Sequence, residues 1–415
     1  MEVINMVNKI NNFDLHQIAV LKGLSSRVAQ ATSFNNNTDF YEYSLQYSEP
    51  TQVVSIYKSA DMDGGSWDTE SVNTDRQIDL SKYITLSGYF GGHTQTLFQD
   101  GGYIVTGMQR ISFSNLKTFL DMASATQYNH FFENYTNNSS WKTLNKYLNG
   151  TLPLLDVSKF KWSTNFIGLR NKPLNEDPKD GAYVNIIGVN DLVPNAQRAE
   201  LVVTADGENA LLAVNNAHHD LYLFIYNFSI INEIDNKYVA IDGYLDEAGF
   251  HSAPDPSILT SSDEISNALD VYKTLLNHDC LVLNLSKYTP TFQKSFTSSE
   301  INQLTQTTDS HLSYQGFGLD RQGNIYISSG FSPDKSRLIS NSHVYVYKTN
   351  EDLWFDIDCN KRFAQLELNV FPEMEGLQVL DTNNVLITLA LHNIDKLNQP
   401  VVANKVYRLS WDSDD

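Results

Sequence analysis

Basic residues, cysteines and long apolar runs are all scarce in this 415-residue chain. Lys and Arg number 29 against 49 Asp and Glu, a formal charge of −20 at pH 7. So acidic a chain lacks the dense Lys/Arg that grips phosphate backbones or anionic bilayers, which excludes nucleic acid as a partner. The two cysteines, Cys280 and Cys359, make no disulfide framework. Two free buried thiols are the preferred reading, with a single bridge as the alternative. The strongest apolar run, 221–231, is only a strand's length and is interrupted by Asn227 and Ser229, so no membrane-spanning segment is expected. The start of the chain, MEVINMVNKINNFDL, has no basic segment leading into an apolar core and a cleavage site, so no secretion signal is read. GxSxG, GxxxxGK, HExxH and CxxC are missing too, which removes the local signatures of a serine nucleophile, a phosphate loop and a zinc site.

What is present is core-forming. Hydrophobic residues make up 41% and aromatics 12%, while charged residues are only 19%, so the acidic excess sits on a folded chain and not on a disordered tail. The chain also repeats itself. A Gln or Glu, an alternating apolar run, a tight polar turn and a second alternating run recur as QTLFQDGGYIVTG at 95, ELVVTADGENALLA at 200, QGFGLDRQGNIYIS at 315 and EGLQVLDTNNVLIT at 375, with a weaker copy, QATSFNNNTDFYEY, at 30. Asn, Asp and Gly between the runs supply the positive φ that hairpin turns need. Several copies continue into an aromatic third run: LYLFIYN (221–227), HVYVYK (343–348) and KVYRLSW (405–411).

Repeated hairpins with a further strand predict an all-β chain, a β-propeller in preference to a solenoid. The leading Gln/Glu residues are 65, 105, 115 and 60 positions apart, with 70 on wrapping through the termini. Five blades are favoured; seven result if each long gap hides a diverged blade. The five-blade reading makes residues 1–415 a single domain closed by its terminal segments, with long irregular or helical insertions at about 121–195 and 236–312. Within the second, SSDEISNALDVYKTLL (261–276) places Ser-x-x-Glu ahead of helically spaced apolar residues, a capping-box pattern.

The residues of the repeat also carry a family resemblance. LSGYFGGHTQT (86–96), RAELVV (198–203), IYNFSIINE (225–233), YQGFGLDRQGNIYISS (314–329), EMEGLQV (373–379) and LSWD (409–412) resemble, in the same order, the helveticin J family of class III bacteriocins, large heat-labile antibacterial proteins of lactobacilli. The resemblance implies antibacterial activity outside the producing cell, reached without an ordinary signal peptide. It implies no known catalytic centre. The function expected from it is non-enzymatic binding of a bacterial cell-surface component, a glycan or a surface protein, through loops on one propeller face. A glycan-degrading enzyme on the same scaffold and a non-toxic lectin-like adhesion module are the alternatives.

Candidate site residues follow from the repeat. Gln30, Gln95, Glu200, Gln315 and Glu375 would lie at one level around a propeller channel, where amides and carboxylates either bind a ligand or satisfy strand ends. His93 stands beside Gln95 and joins the ligand-binding candidates. Glu200 and Glu375 are the first pair to consider for glycoside hydrolysis. Asp61, Asp63 and Asp68 set oxygen ligands at alternating positions, as a calcium loop does, although a solvated polar loop fits the segment better. No other cofactor is expected. His218-His219-Asp220 reads as a surface loop, because neighbouring side chains on a strand point to opposite faces. Tyr128, Tyr135 and Tyr147, in an Asn-rich stretch, offer aromatic faces suited to neutral sugars.

Overall fold

The computed structural model describes residues 7–22, 28–35, 39–48, 51–58, 77–79, 84–90, 97–100, 103–106, 108–109, 168–169, 184–188, 192–194, 196–227, 241–246, 249–252, 280–284, 289–305, 313–330, 341–366, 370–394 and 401–412. These are mostly β-sheet. The described helices are α1 (Ser298–Thr305) and α2 (Asn360–Leu366), and among the described residues no helix is long and apolar enough to cross a membrane.

Each repeat read in the sequence folds as an antiparallel hairpin. Sheet I pairs Ala29–Asn35 with Asp39–Ser48, then adds Thr51–Lys58 and Ile84–Phe90. Sheet II pairs Leu97–Asp100 with Tyr103–Thr106, followed by Gly168–Leu169. Sheet III runs from Met108–Gln109 through Ala196–Val203, Asn209–Asn216 and Leu221–Asn227 to Phe292–Phe296. Sheet IV runs from Ser313–Leu319 through Ile325–Gly330, His343–Lys348 and Leu353–Asp358 to Asn8–Lys9, which joins in parallel. Sheet V runs from Val370–Asp381 through Asn384–Asn393, Ala403–Trp411 and Phe13–Lys22 to Gln77–Asp79. Turn residues do what the sequence asked of them: Gly207, Gly323 and Asn383 have φ of 75°, 84° and 63°.

Most residues of the two long gaps lie outside the described ones. Their described parts are largely strands, and the two gaps build one sheet together: Val184–Gly188 lies parallel to Cys280–Asn284, which pairs with Ile241–Asp246 and then Gly249–Ser252. The second gap also supplies the last strand of sheet III and helix α1. Residues 261–276 lie outside the described residues. Among the described residues a capping box forms directly after the last strand of sheet III, at Thr297, whose backbone N–H and hydroxyl donate to Glu300 Oε2 at 2.6 and 2.8 Å.

Sheet IV shows why the strands read as continuous apolar runs. Along His343–Lys348, Tyr345 and Tyr347 join Phe317, Ile327 and Trp354 in a core shared with Leu211, Leu223 and Phe296 of sheet III. Val344 and Val346 face the other way, into a core with Ile387, Leu389 and Leu409 of sheet V. Both faces are covered, so the period of two runs apolar on both phases. Each such side chain contributes about 1.5–3 kcal/mol on burial. The opposite face of sheet V is polar where it meets sheet I: Thr32 and Thr388 hydroxyls lie 3.1 Å apart, and Ala29 N–H donates to Asn404 Oδ1 at 2.9 Å.

The first strands of the hairpins are neighbours in a fixed order. Ala29–Asn35 packs on Leu97–Asp100, Leu97–Asp100 on Ala196–Val203, Ala196–Val203 on Ser313–Leu319, Ser313–Leu319 on Val370–Asp381, and Val370–Asp381 on Ala29–Asn35. The chain's two ends are paired as well. Phe13–Lys22 lies antiparallel to Ala403–Trp411, with Phe13 opposite Trp411. Just before it, Ile10 N–H donates to Asp356 O at 3.0 Å and Ile10 enters the core between sheets IV and V.

Candidate functional site

Side-chain hydrogen bonds link the hairpin turns of sheets III, IV and V. In sheet IV, Asp320 follows the first strand and its carboxylate accepts five hydrogen bonds: Gln322 N–H and Asn324 N–H at Oδ1, and Asn324 Nδ2, Tyr326 hydroxyl and Thr382 hydroxyl at Oδ2. It is an Asx-type turn, with Thr382 reaching in from sheet V. The Tyr326 hydroxyl in turn accepts Asn383 N–H at 3.2 Å, a second tie between the two turns. In sheet III, Thr204 hydroxyl donates to Asp206 Oδ1 at 2.6 Å, and Asp206 Oδ2 meets Arg321 Nε at 3.1 Å. Burial pushes the Asp206 carboxyl up, but the Thr204 hydroxyl, backbone N–H groups and the Arg321 guanidinium outweigh it and hold the group below its ordinary value.

Between these turns lies a cleft of about 280 Å³ lined by Ala205, Leu319, Asp320, Arg321, Gln322, Val379, Leu380, Asp381 and Thr382. None of these residues was a sequence candidate. The signal that could have found them is Leu-Asp at the head of two turns, LDRQGN and LDTNN, where Asp320 and Asp381 sit.

The recurring Gln/Glu residues are placed differently. Glu200, Gln315 and Glu375 are each 1% exposed, and none is without a partner. Gln30 and Gln315 fall at β-bulges, where the register shifts between Ala29 and Ala31 and between Tyr314 and Gly316. Glu375 falls in the shift between Met374 and Leu377. Glu200 departs from this pattern: it stands in regular register opposite Ala213, and the bulge of its strand lies at Gln197. A bulge leaves backbone groups off the ladder and re-aims its side chain, which is a reason for a long polar residue there. Two bulges abut. A Cβ on Gly316 would lie 2.6 Å from Leu377 N and 3.1 Å from Gly376 C, and Ser328 hydroxyl donates to Glu375 O at 3.0 Å. The glycine of Gln-Gly is there so that the first strand of sheet V can approach.

Gln95, His93, Asp61, Asp63 and Asp68 lie outside the described residues, as do Tyr128, Tyr135 and Tyr147. His218 and His219 are exposed on a turn, with His219 at φ 64°. Asp220 accepts Asn216 Nδ2 at 3.0 Å and Ser298 N–H at 2.9 Å, so its carboxylate orders the turn and the start of α1. Among the described residues no group of three or more His, Cys, Asp or Glu could hold a metal ion. Two imidazole–carboxylate pairs went unread in the sequence: His343 Nδ1 with Asp356 at 2.7 Å, and buried His392 Nε2 with Glu373 at 2.8 Å. Their partners come from different strands of one sheet, beyond local pattern. Cys359 is buried and unbridged.

Among the described residues these features define the class: a mostly β protein of repeated hairpins, with the turns of sheets III, IV and V locked by side-chain hydrogen bonds. The chain is similar to the helveticin J family, most clearly in its carboxyl-terminal part. A family model described as Bacteriocin helveticin-J matches residues 258–412, which hold all of sheet IV but Asn8–Lys9 and the first three strands of sheet V. The curated Bacteriocin helveticin-J of Lactobacillus helveticus is 26% identical over 274 residues, covering 62% of this chain and 69% of that protein.

Proposed function

We propose that this chain is an antibacterial protein, a bacteriocin, that acts outside the producing cell by binding a surface component of other bacteria. The observation that carries the reading is the match of residues 258–412 to Bacteriocin helveticin-J. The binding partner is a cell-surface glycan or surface protein, engaged by loops on one face of a five-bladed β-propeller. The propeller is supported by the five hairpins, by the order in which their first strands touch, and by the pairing of Phe13–Lys22 with Ala403–Trp411, which would close such a ring. Binding without catalysis is supported by the burial of Glu200 and Glu375: both residues are 1% exposed, unlike an acid pair that must meet a glycosidic bond. Calcium at Asp61, Asp63 and Asp68 is carried as a subsidiary proposal, tested by cell binding with and without chelator.

The test is direct. Purified protein is applied to a broad panel of lactobacilli and survivors are counted, while purified cell walls are assayed for release of reducing ends. Killing without release is expected. A panel in which no strain dies overturns the antibacterial reading, and released reducing ends overturn the non-enzymatic one.

A further inference from the structure

We infer that the cleft between the hairpin turns of sheets III, IV and V binds one ring of a neutral saccharide. The inference rests on the proposed function only for the source of the sugar, the surface of a target cell.

Size and rigidity come first. At about 280 Å³ the cleft is at the lower end of small-molecule sites, which run from roughly 300 to 1,000 Å³, so it suits a single ring with the rest of a chain outside. Its three walls are tied to one another by Asp206–Arg321 at 3.1 Å, Asp320–Thr382 at 3.1 Å and Tyr326–Asn383 at 3.2 Å. A ligand therefore meets a site that is already assembled, and little ordering is left to oppose binding.

Chemistry then selects the ligand. The Asp320 carboxylate is consumed by its five donors and belongs to the frame. Arg321 is 69% exposed, with Nε held by Asp206. Its charge is compensated there, while its other N–H groups are still able to donate. Asp381 is exposed and takes one hydrogen bond, from Asn384 Nδ2 at 3.1 Å, leaving acceptor capacity; exposed Gln322 adds an amide. Between these polar groups lie Ala205, Val379 and Leu380. Donors and acceptors interspersed with apolar surface complement a ring whose hydroxyls both donate and accept and whose C–H faces are apolar. Charge disfavours anions. Asp206, Asp320 and Asp381 stand against the single Arg321, in a chain of formal charge −20.

The test titrates the full chain with N-acetylglucosamine and glucose as neutral probes and glycerol phosphate as the anionic one, followed by saturation-transfer NMR and calorimetry. Saturable binding of a neutral sugar is expected. Asp381→Ala should weaken it at least about tenfold, by loss of a charge-assisted acceptor. Ala205→Trp, on an exposed turn, should abolish it by filling the cleft mouth, and both variants should keep the wild-type unfolding midpoint. No saturable binding of either sugar, tighter binding of glycerol phosphate, or sugar binding untouched in Ala205→Trp would each overturn the inference. Wall polysaccharide from a bound strain should displace the monosaccharide; failure to do so overturns the cell-surface source. Killing assays on the same variants keep the two readings apart. Variants that lose sugar yet still kill leave the cleft assigned and its antibacterial role refuted, whereas a wild type that kills without binding sugar refutes the cleft alone.

Discussion

Gly316 illustrates how one residue sets the distance between two sheets. Its missing Cβ leaves room for Leu377 N, a backbone atom that cannot swing away, whereas at Gly323 an added Cβ meets only Thr349 Oγ1 at 3.4 Å and the obstacle is a φ of 84°. Gly316→Ala should therefore cost about 1–3 kcal/mol by overpacking, and Gly323→Ala about 1 kcal/mol by backbone strain. Urea unfolding orders them; equal effects would mean that sheets IV and V move apart freely. The buried carboxylates make a second case. Glu200 and Glu375 are each 1% exposed, so Glu200→Ala and Glu375→Ala each empty buried space at a cost of about 1–3 kcal/mol, and thermal melts should fall before any binding is lost. A variant that kept its melting temperature but lost cell binding would return these residues to the ligand-binding role. Cys359 is 0% exposed and its thiol is pushed up by burial, then by Asp358 and Asp356. It should resist thiol reagents in the folded protein and react once the chain unfolds; fast labelling of the native form would contradict its burial.

At the scale of elements, the hairpins were legible because their causes are local. Alternation over four to eight residues and a Gly, Asn or Asp at positive φ are written in one stretch of chain, as in QGFGLDRQGNIYIS. What joins the hairpins was not. Asp206 meets Arg321 and Asp320 meets Thr382 across 62 positions or more, so the cleft they frame has no contiguous signature. The sheet shared by the two long gaps escaped for the same reason, since Val184–Gly188 finds its parallel partner near residue 280. The amino-terminal strap is the extreme case. Tyr407 hydroxyl donates to Gln17 Oε1 across 390 positions, and Asn8–Lys9 pair with sheet IV before Phe13–Lys22 enter sheet V. One short segment thus ties two sheets. Ile10, 5% exposed in the core between them, is its anchor. Ile10→Ala should cost about 2–4 kcal/mol, and deleting residues 1–11 at least as much. A deletion that left the unfolding midpoint unchanged would show that the strap bears none of the load between sheets IV and V.

For the whole molecule, the formal charge of −20 bears on where the protein can act. Gram-positive walls are rich in anionic polymers, so at neutral pH long-range repulsion opposes approach to such a surface. Acidification lowers that barrier, because the sequence pI is about 4.8 and the net charge shrinks as pH falls towards it. The fold should tolerate the change. Asp206 and Asp352, which tie sheet III to sheet IV through Arg321 and Lys294, both have carboxyls held below the ordinary 3.8. A depressed carboxyl contributes stability that is present above its unfolded value and is lost only as pH falls through the lower folded value, so both ties persist at about pH 5. Surface carboxylates can thus begin to neutralise while those links hold. Binding to sensitive cells should accordingly be stronger at pH 5 than at pH 7, and added salt should recover part of the difference at pH 7 by screening. Co-sedimentation of labelled protein with cells at the two pH values, with and without salt, measures this. Equal binding at both would mean that repulsion from the wall does not govern approach, and binding that weakens at pH 5 would mean that the contact with the cell depends on an ionised carboxylate.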